Sequence, residues 1–118
     1  MTAAAIGRLG EDLALRFLES CGYACRARRW RRGGGELDLV LTRGDLLVFC
    51  EVKTRGPGSL ARAVESVDRR QLRRLRSLAR RWCWEEGVVP ARVRVDVVTV
   101  DLGGEGRGLL LRHFPGAG

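Results

Sequence analysis

The stretch GELDLVLTRGDLLVFCEVKTR, residues 35–55, decides the fold. It contains two mainly apolar segments, 36–42 and 46–54, on either side of Gly44-Asp45. Two β-rich segments separated by a pair of turn residues are typical of a β-hairpin. The stretch therefore predicts two adjacent antiparallel strands around which the other elements have to pack.

Side chains alternate between the two faces of a strand, so the hairpin has a predictable distribution of charge. On the first strand Glu36 and Asp38 share one face, and the opposite face is formed by Leu37, Leu39 and Leu41. On the second strand Glu51 and Lys53 share a face. If the chain turns at Gly44-Asp45, Asp38 lies opposite Glu51 and Glu36 opposite Lys53, with Cβ atoms about 4.5–5.5 Å apart.

The predicted contact between Asp38 and Glu51 brings two negative charges together. Two carboxylates repel by about 4 kcal/mol at 4 Å in an effective dielectric of 20, so the pair favours a nearby cation. One interpretation is a divalent metal bound by both carboxylates. The other is an ordinary ion-pair cluster on the protein surface, which contributes little to stability.

Hydrophobic periodicity and turn residues define the remaining elements. They predict a helix over 3–20, a strand over 23–30, a Gly-rich turn at 31–35, a loop at 56–59, a helix from the cap Asp68 to about Glu86, and strands over 93–100 and 109–114 around a turn at 103–108. The order α-β-β-β-α-β-β predicts an α/β fold with a mixed sheet of about five strands flanked by helices. At 118 residues the chain has the size of a single domain, 1–118.

The charge balance favours a polyanionic partner. Basic residues exceed acidic ones by 22 to 14, which gives a net charge of +8, and Lys53 is the only lysine among them. An excess of this kind is typical of proteins that bind nucleic acid, and DNA is the expected partner. Homodimer formation is compatible with the same features.

Several other classes of protein are disfavoured. No apolar run approaches the length of about 20 residues that crosses a bilayer, and Glu11 and Asp12 interrupt any signal-peptide pattern, so no membrane association is expected. The four cysteines form no CxxC pair, and there is one histidine. Reduced thiols in a cytoplasmic protein fit this pattern better than a zinc site or a disulfide framework.

The second helix is rich in arginine around an apolar stripe. One interpretation is a solvated helix face, and the other, which we favour, is a surface that contacts phosphates. The candidate nucleic-acid-binding residues are Arg70, Arg73, Arg74, Arg80 and Arg81.

An acidic residue followed on the adjacent strand by acidic–x–Lys resembles the core of PD-(D/E)XK nucleases. The segments GELDLV (35–40), LLVFCEVKTR (46–55), GRLGEDLALRFLESCGY (7–23) and RVDVVTV (94–100) together resemble the YraN family of bacterial proteins. The resemblance implies a restriction-endonuclease-like three-layer fold, similar also to archaeal Holliday-junction resolvases. One departure is Arg70, because members of that family usually carry a lysine early in the second helix.

The resemblance also implies roles for individual residues. Asp38, Glu51 and Lys53 would be catalytic, and Mg²⁺ or Mn²⁺ would be held by Asp38, Glu51 and the main-chain carbonyl of Val52. Glu11 matches an acidic position that reaches the metal directly or through water; the alternative is an ordinary exposed helix glutamate. Lysine suits such a site because its ammonium is compact and its pKa shifts readily, whereas arginine stays protonated.

Two further residues are accessory candidates. Glu36 is either an outer partner of Lys53 in the site or simply its salt bridge, and Gln71 on the second helix is a candidate for contact with the site. Together these features predict a Mg²⁺-dependent endonuclease that acts on structured or branched DNA. The alternatives are a non-catalytic nucleic-acid-binding protein and a structural protein whose acidic cluster is an ion-pair network.

Overall fold

The structure is a computed structural model that describes residues 1–57, 59, 62–103 and 108–117. Its elements are α1 (Ala3–Ser20), β1 (Ala24–Arg32), β2 (Gly35–Arg43), β3 (Leu46–Arg55), a short 3-10 helix (Ala63–Ser66), α2 (Arg69–Glu86), β4 (Arg92–Leu102) and β5 (Leu109–Phe114). Apart from the 3-10 helix, which was not predicted, this is the order expected from the sequence. The predicted loop at 56–59 and turn at 103–108 include Gly58 and residues 104–107, which lie outside the described residues.

The strands form one mixed sheet in the order β1-β2-β3-β4-β5. Among the described strands only β3 and β4 are parallel neighbours, and α2 lies in the connection between them because parallel strands need a long crossover. The β2–β3 hairpin has the predicted register from the Arg43–Leu46 pair to the Leu39–Cys50 pair. The predicted α/β class with a five-stranded mixed sheet is confirmed.

The two long helices pack on opposite faces of the sheet and form two separate cores. The core beneath α1 includes Ala14, Leu18, Leu39, Leu41, Val48, Cys50 and Val98. The core beneath α2 includes Leu37, Val40, Leu47, Phe49, Leu75, Ala79 and Trp82. The arrangement is therefore helix, sheet and helix in three layers.

Local sequence signals set the ends of α2. The Asp68 side chain accepts a hydrogen bond from the Gln71 N–H at 2.9 Å, which caps the first turn. Gly87 ends the helix with φ of 66°, a left-handed conformation that glycine adopts without a steric penalty. Both boundaries agree with the prediction.

The alternation of faces along β2 is interrupted, contrary to the prediction. Leu37 belongs to the core beneath α2, whereas Leu39 and Leu41 belong to the core beneath α1. On the neighbouring strand, Arg29 lies between the residues paired with Leu39 and Leu37 and has φ of 49°, which is unusual for a residue other than glycine. The regular alternation of side chains along β2 is therefore interrupted next to the irregular part of β1.

The Gly-rich turn is tighter than predicted. β1 continues to Arg32 and β2 begins at Gly35, so only Gly33 and Gly34 form the turn. Their φ values are 55° and 80°. Two consecutive positive φ values are the requirement of a two-residue hairpin turn, and glycine meets it most easily.

In the described part of the chain, no helix is long and apolar enough to span a membrane.

Candidate active site

A cleft of about 650 Å³ opens at the end of the sheet where α1, β1, β2 and β3 meet. Its charged lining comes from four elements and consists of Arg8, Glu11, Arg29, Arg31, Glu36, Asp38, Lys53 and Arg55. Of the other candidate residues, Val52 lines the cleft, whereas Glu51 and Gln71 are not among its lining residues. We call this the acidic cleft.

A close helix–strand approach places Glu11 in the acidic cleft. Gly10 is buried against β3, and a Cβ atom at this position would lie 1.9 Å from Thr54 Oγ1. Only glycine therefore lets α1 approach β3 this closely. The next residue, Glu11, consequently lies beside the strand that carries Lys53.

Glu11 is buried and paired with two arginines of β1. It is 7% exposed, and its Oε1 lies 3.2 Å from Arg28 Nη2 and 3.0 Å from Arg29 Nε. The interpretation of Glu11 as an ordinary exposed helix glutamate is therefore wrong. Arg28 also bonds Asp12, so the irregular part of β1 is tied to α1 by ion pairs.

Asp38 lies where β2 and β3 cease to pair regularly. Its Oδ2 accepts a hydrogen bond from the Val52 N–H at 2.8 Å, beyond the Leu39–Cys50 pair that ends the regular register. Burial and the neighbouring Glu51 carboxylate raise the pKa of Asp38 to about 8, and the Val52 N–H opposes the shift. At neutral pH the Asp38 carboxyl group therefore favours its protonated form, and the Glu51 carboxylate beside it is one of the causes.

The lysine lies beside Glu51 on its own strand. Lys53 Nζ is 3.4 Å from Glu51 Oε1, and both side chains are about one-fifth exposed. Glu36 instead accepts a hydrogen bond from Arg31 Nε at 3.3 Å. The expected salt bridge between Glu36 and Lys53 is wrong, because the regular β2–β3 pairing that would place them opposite each other ends at Leu39 and Cys50.

Three carboxylates converge in the acidic cleft. One oxygen from each of Glu11, Glu36 and Asp38 lies within 4.8 Å of the others. Oxygen ligands of one octahedral Mg²⁺ are about 2.9 Å apart when adjacent and about 4.2 Å apart when opposite, so side-chain movements of about 1–2 Å would bring all three to one ion. Glu36, predicted as an accessory residue, therefore belongs to this group of three carboxylates. Glu51 is not a member of the group, but its charge helps to raise the pKa of Asp38.

The predicted accessory residue Gln71 lies outside the acidic cleft. Its Oε1 is buried and has no hydrogen-bond partner among the described residues.

The two arginines that pair with Glu11, Arg28 and Arg29, were not predicted from the sequence. The available signal was the arginine-rich segment RARRWRR (26–32) together with the acidic pair Glu11-Asp12, but only the tertiary structure brings the two together.

The five arginines predicted on α2 do not form one surface. Arg70, Arg73 and Arg74 line a cleft of about 590 Å³ against the β1–β2 turn. Arg80 lies on another side of the helix, in a mainly apolar cleft with Arg76. The fifth arginine, Arg81, is held by Glu85 at 2.8 Å.

These features define an α/β protein with a five-stranded mixed sheet between two helices and an acidic cleft at one end of the sheet. The model of the Uncharacterised protein family UPF0102 matches residues 10–100, which include every residue of the converging carboxylate group. The chain belongs to this family.

Relatives of known sequence agree with that assignment. The chain is 50% identical over 96 residues to a UPF0102 protein of Frankia alni, which covers 81% of this chain and 80% of that protein. It is 43% identical over 113 residues to a UPF0102 protein of Frankia casuarinae, with 96% and 95% of the two chains covered. A UPF0102 protein of Kineococcus radiotolerans is 46% identical over 97 residues, with 81% and 80% covered.

Proposed function

We propose that this protein is a Mg²⁺-dependent endonuclease, also able to use Mn²⁺, that hydrolyses phosphodiester bonds in structured or branched DNA. The observation that carries the proposal is the convergence of Glu11, Glu36 and Asp38 in one cleft that Lys53 also lines. The resemblance of residues 35–55 to PD-(D/E)XK nucleases and to the YraN family supports it, and the branched substrate rests on the likeness to Holliday-junction resolvases.

The donor set fits a hard divalent cation. Glu11, Glu36 and Asp38 offer only carboxylate oxygens, the ligand type that Mg²⁺ and Mn²⁺ prefer. Glu51 and the Val52 carbonyl, implied by the resemblance, complete the proposed ligands. When bound, the metal supplies a Lewis acid that activates water and stabilises negative charge on the phosphoryl oxygens.

The raised pKa of Asp38 is consistent with this assignment. Burial and the Glu51 carboxylate together favour the protonated form of Asp38. A divalent cation would replace that proton and relieve the same repulsion. Cation binding should therefore release a proton and strengthen as the pH rises towards 8.

The cationic residues have separate proposed tasks. Lys53, paired with Glu51, brings a compact ammonium group to the cleft, where it would orient the attacking water and balance charge on the phosphate. Arg31 lines the same cleft and is mostly exposed, so its guanidinium is positioned to contact a neighbouring phosphate.

The test is a Mg²⁺-dependent cleavage assay over single-stranded, duplex, flap and four-way-junction DNA. The informative variant is Asp38→Asn, since the amide keeps an oxygen for the Val52 N–H but cannot ionise to the carboxylate that would bind the metal. Asp45→Asn is the matched control, because Asp45 is exposed on the β2–β3 turn and pairs only with Arg92 among the described residues. Cleavage by the wild type and the control but not by Asp38→Asn is expected. If the wild type cleaves none of these substrates with either Mg²⁺ or Mn²⁺, the proposal is contradicted.

A second candidate function is nucleic-acid binding without catalysis. The observation in its favour is that Arg28 and Arg29 already neutralise Glu11 without a metal. In that case DNA should bind to the wild type and to Asp38→Asn with equal affinity in the presence of Mn²⁺, and neither should cleave it.

A further inference from the structure

The β1–β2 turn is held against the middle of α2. A Cβ atom on Gly35 would lie 2.8 Å from Leu78 Cδ1, so the end of the turn packs closely on this side chain. Arg32, at the other end of the turn, is bonded to Glu85 at 3.1 Å and lies 4.3 Å from the centre of the Trp30 ring. These contacts fix the position of the turn relative to α2.

The turn and the first half of α2 enclose the cleft that contains Arg70, Arg73 and Arg74. Its other lining residues are Arg32, Gly33, Gly34, Gly35, Ser77 and Leu78. Arg70, Arg73 and Arg74 are exposed, and within the described residues no carboxylate is paired with any of them. We call this the basic cleft. It contains four guanidinium groups, of which only Arg32 has an acidic partner among the described residues.

A smaller cleft lies between the basic cleft and the acidic cleft. It is lined by residues 31–36, the tip of the β1–β2 hairpin. It shares Arg31 and Glu36 with the acidic cleft and residues 32–35 with the basic cleft. The hairpin tip therefore lies between the candidate active site and the arginines of α2.

We propose that the basic cleft binds the phosphodiester backbone of a nucleic-acid strand whose neighbouring phosphates extend over the hairpin tip to the acidic cleft. Arginine suits this task because its planar guanidinium forms paired hydrogen bonds with phosphate oxygens. The unpaired arginines are available for such contacts without first breaking an ion pair. The inference rests on the nucleic-acid substrate proposed above and specifies which surface holds it.

The first test uses two double variants of α2 with the same change in charge. Arg73→Gln with Arg74→Gln alters the basic cleft, whereas Arg76→Gln with Arg80→Gln alters the mainly apolar cleft on the other side of the helix. Binding of fluorescein-labelled duplex DNA is measured by fluorescence anisotropy in EDTA over a range of salt concentrations. The slope of log K against log salt should become shallower by about 0.9 for each phosphate that the first variant no longer neutralises, and it should stay unchanged in the second.

The second test concerns the hairpin tip. Gly34 has φ of 80°, and no atom lies within 4 Å of the position that a Cβ would take there. Asparagine and aspartate are the residues that best tolerate this backbone conformation after glycine. Gly34→Asp would add a negative charge between the two clefts, and Gly34→Asn is its neutral equivalent of the same shape. Gly34→Asp should weaken DNA binding about tenfold relative to Gly34→Asn, with the difference decreasing at high salt.

The outcomes separate this inference from the proposed endonuclease activity. Because binding is measured in EDTA, it does not depend on catalysis, and cleavage is assayed separately with Mg²⁺. Equal salt slopes for the two double variants, or equal affinities for Gly34→Asp and Gly34→Asn, would overturn the basic cleft even if the wild type cleaves DNA. Absence of binding to both DNA and RNA of the same sequence would also overturn it. Comparison of those two probes identifies which nucleic acid supplies the phosphates.

Discussion

Asp38 owes its properties to its immediate neighbours. Burial removes water from its carboxyl group, Glu51 and Glu11 add negative charge, and the Val52 N–H only partly compensates, so its pKa rises to about 8. Glu11, also buried, is instead paired with Arg28 and Arg29. Two carboxyl groups of one cleft are thus stabilised differently. Asp38 favours its protonated form, whereas Glu11 is paired with guanidinium groups.

The raised pKa of Asp38 predicts a pH dependence of stability. Between about pH 4 and pH 8 the folded protein holds a proton that the unfolded chain releases, so the free energy of unfolding should fall as the pH rises. The contribution of one such proton is at most about 1.4 kcal/mol per pH unit. Asp38→Asn should remove this part of the slope, and Asp45→Asn should retain it. Urea unfolding followed by circular dichroism from pH 5 to 8 measures it, and identical slopes for all three proteins would refute the shift.

Lys53 allows a conservative test of catalysis. Lys53→Arg keeps the positive charge and both carboxylates, so the variant should fold normally and still bind Mn²⁺ and DNA. Cleavage should fall by a factor of about 10²–10⁴, the usual cost of losing a positioned proton-transfer group. The rate of cleavage under single-turnover conditions measures the effect. If Lys53 serves only as the ion-pair partner of Glu51, the variant should cleave at the wild-type rate.

At the scale of elements, much of the structure follows from local sequence signals. The boundaries 3–20, 69–86 and 109–114 agree with the prediction, because caps, periodicity and glycines act within a few residues. The register of the β2–β3 hairpin follows from its two-residue turn. The change of face between Leu37 and Leu39 was not predictable from β2 alone, because it accompanies the left-handed Arg29 on the neighbouring strand.

The approach of α1 to β3 gives a prediction at this scale. Gly10→Ala places a methyl group against Thr54, so we expect it to lower the free energy of unfolding by about 1–3 kcal/mol and to weaken Mn²⁺ binding by displacing Glu11. Gly7→Ala is the matched control, since no atom lies within 4 Å of a Cβ there and alanine favours a helix by about 0.5–1 kcal/mol. Chemical unfolding and Mn²⁺ titration of both variants measure the effects. A Gly10→Ala protein as stable as Gly7→Ala would contradict the close approach.

At the scale of the whole molecule, the topology assembles the site from distant parts of the chain. The sequence predicted that Asp38 and Glu51 would be close, since one hairpin carries both, and their electrostatic coupling agrees with this. It did not predict that Glu36 and Glu11 would converge with Asp38, or that Arg28 and Arg29 would hold Glu11. Those contacts depend on how α1 docks on the sheet, which no local pattern specifies.

The same topology places the arginines of α2 in separate clefts. The sequence treated the arginines of α2 as a single surface, whereas packing of the helix on the sheet directs Arg73 and Arg74 towards the hairpin tip and Arg80 towards β4. A helical pattern gives the angular positions of side chains but not the neighbouring elements. The path from the basic cleft to the acidic cleft is therefore a property of the assembled fold.

The most direct test of the acidic cleft as a divalent-metal site is calorimetric titration with Mn²⁺ at pH 6.5 and at pH 8.0. The wild type and Asp45→Asn should each bind Mn²⁺, more tightly at the higher pH because the proton on Asp38 competes less with the metal there. Asp38→Asn should bind no Mn²⁺ in the cleft while its circular dichroism spectrum stays that of the folded protein. Equal Mn²⁺ binding by folded Asp38→Asn and wild type would contradict a metal site in the acidic cleft.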